Sequence, residues 1–257
     1  MYWRECLIAL LTLSRKETTR YLRIWVQTLF PPAITMTLYF VIFGNLIGPR
    51  IGPMDGYSYM DFIVPGIIML AVITNSYANV ASSFFSAKFQ RHIEELMVSP
   101  APSVVILLGY VSGGVGRGLL VGLIVTLVSL IFTQIQIHSI PITISVVLLT
   151  SILFSLGGFI NGVFARKFDD VAIVPTFILT PLTYLGGVFY SVSLLPDTWR
   201  IVSLFNPVLY MVNAFRYGIL GASDIDIRVA YALVLLSIAI LTAISLYLLK
   251  RGIGLRA

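Results

Sequence analysis

Charge is scarce in this chain. Only 11% of its 257 residues are Asp, Glu, Lys or Arg, against about a quarter in a soluble domain. With 58% hydrophobic residues and a mean hydropathy of +0.96, the composition is that of a polytopic membrane protein. Cysteine is nearly absent, and Cys6 alone cannot make an internal disulfide. Two distant histidines, His92 and His138, do not assemble a metal cage. Each lysine lacks a preceding glycine: Lys16, Lys88, Lys167 and Lys250 follow Arg15, Ala87, Arg166 and Leu249. The phosphate-cradling loop GxxxxGK requires that glycine, so ATP hydrolysis, if used, belongs to another polypeptide. The glycine-rich VSGGVGRG at 111–118 opens an apolar run without a nucleotide domain around it and is a false match.

Apolar runs of about 20 residues, the length that crosses a bilayer as a helix, occur six times: 25–47, 62–86, 106–133, 142–164, 171–190 and 229–249. Basic residues between them set the orientation, because Lys and Arg are retained on the cytoplasmic side. Twelve fall on one side: Arg4, Arg15, Lys16, Arg20, Arg23, Lys88, Arg91, Arg166, Lys167, Lys250, Arg251 and Arg256. The other side has Arg50, Arg200, Arg216 and Arg228, outnumbered by Asp55, Asp61, Asp197, Asp224 and Asp226. Both termini are therefore expected in the cytoplasm. The net charge of +6 is then a topology signal, and nucleic acid is not an expected partner.

The first apolar run is short, closes at Arg15 and Lys16 and lacks a small-x-small site, so it is not expected to be a cleaved leader. Trp3, Leu7, Leu10, Leu11, Tyr21, Leu22 and Trp25 instead recur at helical spacing opposite Arg4, Arg15, Lys16 and Arg23. That pattern predicts an interfacial helix over 1–24. Phe30-Pro31-Pro32 falls inside the first run, which must start before the prolines and bend there. Residues 193–221 resemble a further span but are divided by Arg200, Asn206, Pro207, Asn213 and Arg216. Two pieces of about 12 to 15 residues fit an external re-entrant hairpin or a pair of surface helices.

The six runs contain no Asp, Glu or His, which speaks against an intramembrane hydrolase and against ion-coupled transport. Their polar residues are amides, hydroxyls and one arginine. Asn75, Asn79, Ser82, Ser83 and Ser86 share a face of the second run, either lining a path or acting as interhelical glue. Arg117 in the third run either serves function or reaches lipid headgroups. Gly114, Gly118 and Gly122 form a small-xxx-small ladder for close helix packing, and Ser151, Ser155, Gly158 and Gly162 repeat it in the fourth run. Pro175 and Pro181, with Thr176, Thr180 and Thr183, suit a bent fifth span.

Between the second and third runs, KFQRHIEELMVSP places Phe89, Ile93, Leu96 and Met97 among Lys88, Arg91, Glu94 and Glu95. This predicts a short amphipathic helix over 88–99, suited to a groove in a soluble partner or to the inner leaflet. The two glutamates would repel anionic lipid.

RHIEELMVSPAP, residues 91–102, resembles the coupling-helix motif of the type-two integral-membrane permeases of ABC exporters. YLGGVFYSVSLLPDTWRIVSLFNPVLYMVNAFRYGILG, residues 184–221, is similar to that family's second signature. The resemblance implies an all-α permease domain over 1–257 in a bacterial inner membrane, in contact with lipid. It implies two copies of the chain around a pathway and two copies of a separate ATPase that binds ATP and magnesium. Residues 1–24 would be the connecting helix, 88–99 the coupling helix and 193–221 the re-entrant hairpin. Phe89, Arg91, Glu94, Glu95 and Leu96 are then the expected ATPase contacts. Asn75, Asn79, Ser83, Arg117, Thr180 and Tyr184 are pathway or interface candidates. Cargoes of such permeases range from drugs to lipid-linked glycans. The competing reading is a membrane scaffold that recruits a soluble protein through the same loop.

Overall fold

The computed structural model describes residues 3–134 and 137–255; Arg256, one of the basic tail residues, lies outside them. Among the described residues, five helices are long and apolar enough to cross a membrane: α2 (Trp25–Ile51), α3 (Tyr59–Phe89), α5 (Ser103–Ser129), α6 (Ile140–Phe164) and α10 (Ile227–Arg251). Preceding them is α1 (Trp3–Arg23); α4 (His92–Val98) joins α3 to α5. The run at 171–190 is not a sixth long helix. It forms α7, residues 168–184, with a π-helical segment Pro175–Leu179 at its centre. Both of its prolines sit at or beside that segment, where the missing amides break the regular ladder. Beyond it lie α8 (Asp197–Leu204) and α9 (Pro207–Leu220). Met54 and Tyr57 form an isolated bridge, the sole strand-like pairing among the described residues.

The fold is built around α3. Its 31 residues span about 46 Å, and apolar side chains occupy every side, as expected of a helix enclosed by others. Phe62, Ile63, Ile67, Met69 and Ile73 are fully buried. Ser58 caps its start by accepting from the Asp61 amide at 3.2 Å. At its other end Arg91 turns left-handed, φ 62°, and α4 starts one residue later. Lys88 and Phe89 thus belong to the end of α3.

Glycines set how closely α5 and α6 approach α3. A Cβ on Gly122 would stand 2.8 Å from Val72 Cγ2, and one on Gly118 or Gly114 would strike Ser76 or Ser155 respectively. A Cβ on Gly158 in α6 would run into the Tyr77 backbone carbonyl. The backbones touch there, which only glycine permits.

At the end of the bundle opposite α4, α8 is exposed, whereas α9 is embedded: Val208, Leu209, Met211 and Val212 have no accessible surface. Asn206 caps α9 by accepting from the Val208 amide at 2.9 Å, and its Nδ2 donates to the Leu182 carbonyl at 2.6 Å. Arg216, grouped by the sequence with outer-loop charges, is 1% exposed. Its Nη2 donates to the Gly187 carbonyl at 2.6 Å and its guanidinium lies 3.9 Å from the Phe62 ring centre, a cation–π contact that partly replaces lost hydration. α9 is therefore fixed both to the segment after α7 and to the first turn of α3.

Candidate functional site

Pro31 and Pro32 cannot donate amide hydrogens, so the start of α2 loses helical hydrogen bonds. The helix breaks at Leu29 between Trp25–Thr28 and Phe30–Tyr39. Beside this break lies a cavity of about 400 Å³, walled by α2, α3, α5, α7 and the segment after α7. Four of the six pathway candidates line it: Asn75, Arg117, Thr180 and Tyr184.

Arg117 lies near the middle of α5, about 21 Å from Ser103 along the axis. The structure turns it inward, away from the headgroup position the sequence leaves open. Its Nη2 donates to Asn75 Oδ1 at 3.0 Å and to the Thr28 carbonyl at 3.2 Å. Nε is buried without a partner. The opposite wall is largely aromatic, with Tyr39 and Tyr184 both packed on Phe189, ring centres 5.7 and 6.0 Å apart.

Asn79 and Ser83 do not reach this cavity. They continue the polar face of α3 beneath α1, where Ser83 donates to Glu17 Oε1 at 2.8 Å. Arg20 bonds Glu17 Oε2 at 3.3 Å, and Asn79 Oδ1 and carbonyl at 2.8 and 3.0 Å. Glu17, 1% exposed, is thus a buried acid answered by an arginine and a hydroxyl, the arrangement that burial of a carboxylate requires. α1 follows Leu13, Glu17 and Tyr21 onto Gly109, Gly113 and Gly116 of α5, where added Cβ atoms would meet those side chains within 3 Å.

That second glycine face was present in the sequence beside the ladder at 114, 118 and 122. The i, i+4, i+8 spacing of Leu13, Glu17 and Tyr21 is its complement. Trp3, Leu7 and Leu11, expected to define the apolar face, are exposed.

At the α4 end of the bundle, Lys88 is not a surface charge: its Nζ caps α6 through the carbonyls of Val163 and Ala165, at 2.6 and 2.9 Å. In α4, Ile93 is buried and Leu96 half-buried, while Arg91, Glu94, Glu95, Met97 and Val98 are exposed. Phe89, also exposed, stacks edge-on against Phe168, ring centres 5.0 Å apart. One apolar side of α4 holds it to the bundle; the acidic side faces outward. Among the described residues, no three His, Cys, Asp or Glu side chains cluster to hold a metal ion.

The family model described as ABC-2 type transporter matches residues 8–220, a range that takes in α1, the cavity, α4 and α9. The chain belongs to the ABC-2 type transporter family. Over all 257 residues it is 57% identical to the inner membrane transport permease YadH of Escherichia coli (strain K12), covering 100% of this chain and 99% of that one. It is 21% identical over 215 residues to nodulation protein J of Rhizobium leguminosarum bv. viciae, covering 83% of each. With nodulation protein J of Sinorhizobium fredii (strain NBRC 101917 / NGR234) it shares 25% over 175 residues, 68% of this chain and 67% of the other. The ABC-2 match covers 91–102 and all but the last residue of 184–221, the two stretches on which the sequence resemblance rests.

Proposed function

We propose that this chain is the membrane permease of an exporter, two copies forming the pathway and two copies of a separate ATPase supplying ATP hydrolysis with magnesium. One observation carries the proposal: the outward-facing acidic helix α4 follows α3 through the two-residue turn Gln90-Arg91, the second left-handed, and α3 walls the half-polar cavity. A force applied at α4 reaches the cavity through that one helix. The name of the Escherichia coli relative, an inner membrane transport permease, supports the same reading and the same membrane.

In this proposal the chain crosses the inner membrane six times with both termini cytoplasmic, residues 171–190 making the short fifth crossing. Residues 193–221 return into the outer leaflet, and burial of α9 supports that placement. Phe89, Arg91, Glu94, Glu95 and Leu96 form the ATPase contact. Asn75, Arg117, Thr180 and Tyr184 face the path, while Asn79 and Ser83 lock α1 against the moving helix.

The test replaces both Glu94 and Glu95 with Lys, co-expresses the chain with its ATPase and measures complex formation and turnover. Assembly and turnover are expected to fall together; unchanged values would remove the acidic face from the coupling role. Purification of the wild-type chain with a soluble partner that binds no nucleotide would instead favour a membrane scaffold.

A further inference from the structure

We propose that the cavity beside the α2 break takes an anionic amphiphile, with a phosphate or carboxylate head against Arg117. The word cargo for this ligand rests on the permease reading; the binding itself does not.

Arg117 is the only formally charged side chain on the cavity wall. No carboxylate lines the cavity, and the hydrogen bonds of Arg117 go to an amide oxygen and a backbone carbonyl, so no carboxylate there neutralises it. An arginine held within an apolar slab without a counter-ion is costly, and such residues pair, reach water or meet a charged ligand. Here Nη2 has two neutral acceptors, Nε is buried without one, and Nη1 makes no hydrogen bond among the described residues. A guanidinium with donors to spare matches the oxygens of a phosphate or carboxylate.

The hydroxyls nearby do not supply the missing charge. Thr74, Thr180 and Thr183 each donate to a carbonyl of their own helix, leaving neutral lone pairs facing inward. The remaining wall, with Met36, Tyr39, Leu70 and Phe189, suits an alkyl or aromatic body. A cationic drug would meet a like charge in low dielectric, and a neutral glycan would leave the guanidinium uncompensated. Head and tail together select an acidic amphiphile over both.

The test uses the full-length chain in nanodiscs of phosphatidylcholine, with empty discs as the blank. Binding of radiolabelled dodecyl phosphate, dodecyltrimethylammonium and inorganic phosphate is compared. Dodecyl phosphate is expected to bind at least about tenfold more tightly than the other two. A headgroup alone would be revealed by equal binding of inorganic phosphate, which would overturn the amphiphile. Equal binding of the two dodecyl probes would overturn the charge assignment.

Two variants sharpen the result. Arg117→Gln is expected to abolish the preference for the phosphate head. Asn75→Asp supplies a carboxylate beside Arg117, preserves the contact between α3 and α5, and is expected to abolish it too. Persistence of the preference in a folded Asn75→Asp protein would sink the proposal. Co-purification with an ATPase, measured separately, tests the permease reading, so the two can fail independently.

Discussion

Arg117 donates to the carbonyl of Thr28 at 3.2 Å, the oxygen to which Pro32, four residues on, has no amide to offer. A side chain from α5 thus replaces a backbone donor lost in α2. Replacing Pro32 with Ala restores an amide at that position. Arg117→Gln is therefore expected to cost about 0.5–1.5 kcal/mol less stability in the Pro32→Ala background than alone. Thermal unfolding of the four proteins in one detergent measures the difference, and strict additivity would dismiss the relationship.

Lys88→Met would keep much of the buried stem but leave the Val163 and Ala165 carbonyls without their donor. The expected loss is about 1–3 kcal/mol, with faster hydrogen exchange at the C-terminal end of α6. A surface lysine would give neither effect.

Glu17→Gln retains the shape of the side chain and removes the charge that holds Arg20. Residues of α1 should then exchange amide hydrogens faster, and stability should fall by about 1–3 kcal/mol. Arg20→Gln should give nearly the same loss, and the double variant little more, since both break one pair. Fully additive losses would mean that the two side chains hold α1 through separate contacts, and no loss from either would mean that its glycine contacts alone hold it.

Gly158→Ala forces a methyl against the Tyr77 backbone carbonyl, which cannot rotate aside, whereas Gly122→Ala meets a valine methyl at 2.8 Å. The first change should cost about 1–3 kcal/mol and the second less. Unfolding in mixed micelles ranks them; a reversed order would place the closest backbone approach elsewhere.

Asp170, in the exposed turn before the proposed fifth crossing, accepts from the amides of Arg166 and Lys167 at 2.8 and 3.0 Å. Those hydrogen bonds hold its carboxyl below the usual range, aided by the charges of Lys167 and Arg166. Its contribution is fully present above the ordinary aspartate pKa of about 4. It is lost as pH falls through the lower folded value. Limited proteolysis at 165–170 should accelerate over that acidic window in the wild type and be pH-independent there in Asp170→Asn, once protease activity is normalised.

Helical class and four of the five long spans followed from run length, because a bilayer fixes how many apolar residues a helix needs. The first followed too, with its bend at the prolines. The short α7 was harder to read. An apolar run of 20 residues hides that Pro175 and Pro181 spoil its backbone ladder, so the helix stops at Tyr184 while the hydrophobicity continues.

Buried charge was the least legible feature. Lys88, Arg216 and the half-buried Arg20 look like surface charges by type, and only three-dimensional neighbours show the carbonyls and side-chain oxygens that hold them. Their signals were present but ambiguous: Asn213 three residues before Arg216, and Glu17 three before Arg20. The cavity brought together Asn75, Arg117, Thr180 and Tyr184 from three separate runs, yet separated Asn75 from Asn79 on the same helical face. A one-dimensional stripe cannot reveal that α1 covers its lower half.

Asn75 stands one residue from the midpoint of α3, and its bond to Arg117 ties that midpoint to α5. A rigid rod held at its middle behaves as a balanced lever. A tilt of about 5° leaves the fulcrum in place and swings each end of a rod about 46 Å long by about 2 Å, in opposite senses. One end bears α4 and the other lies against Arg216 and α9. A push at the α4 end would therefore become an opposite swing at the α9 end, with the cavity tilting about the pivot that its own Asn75 and Arg117 form.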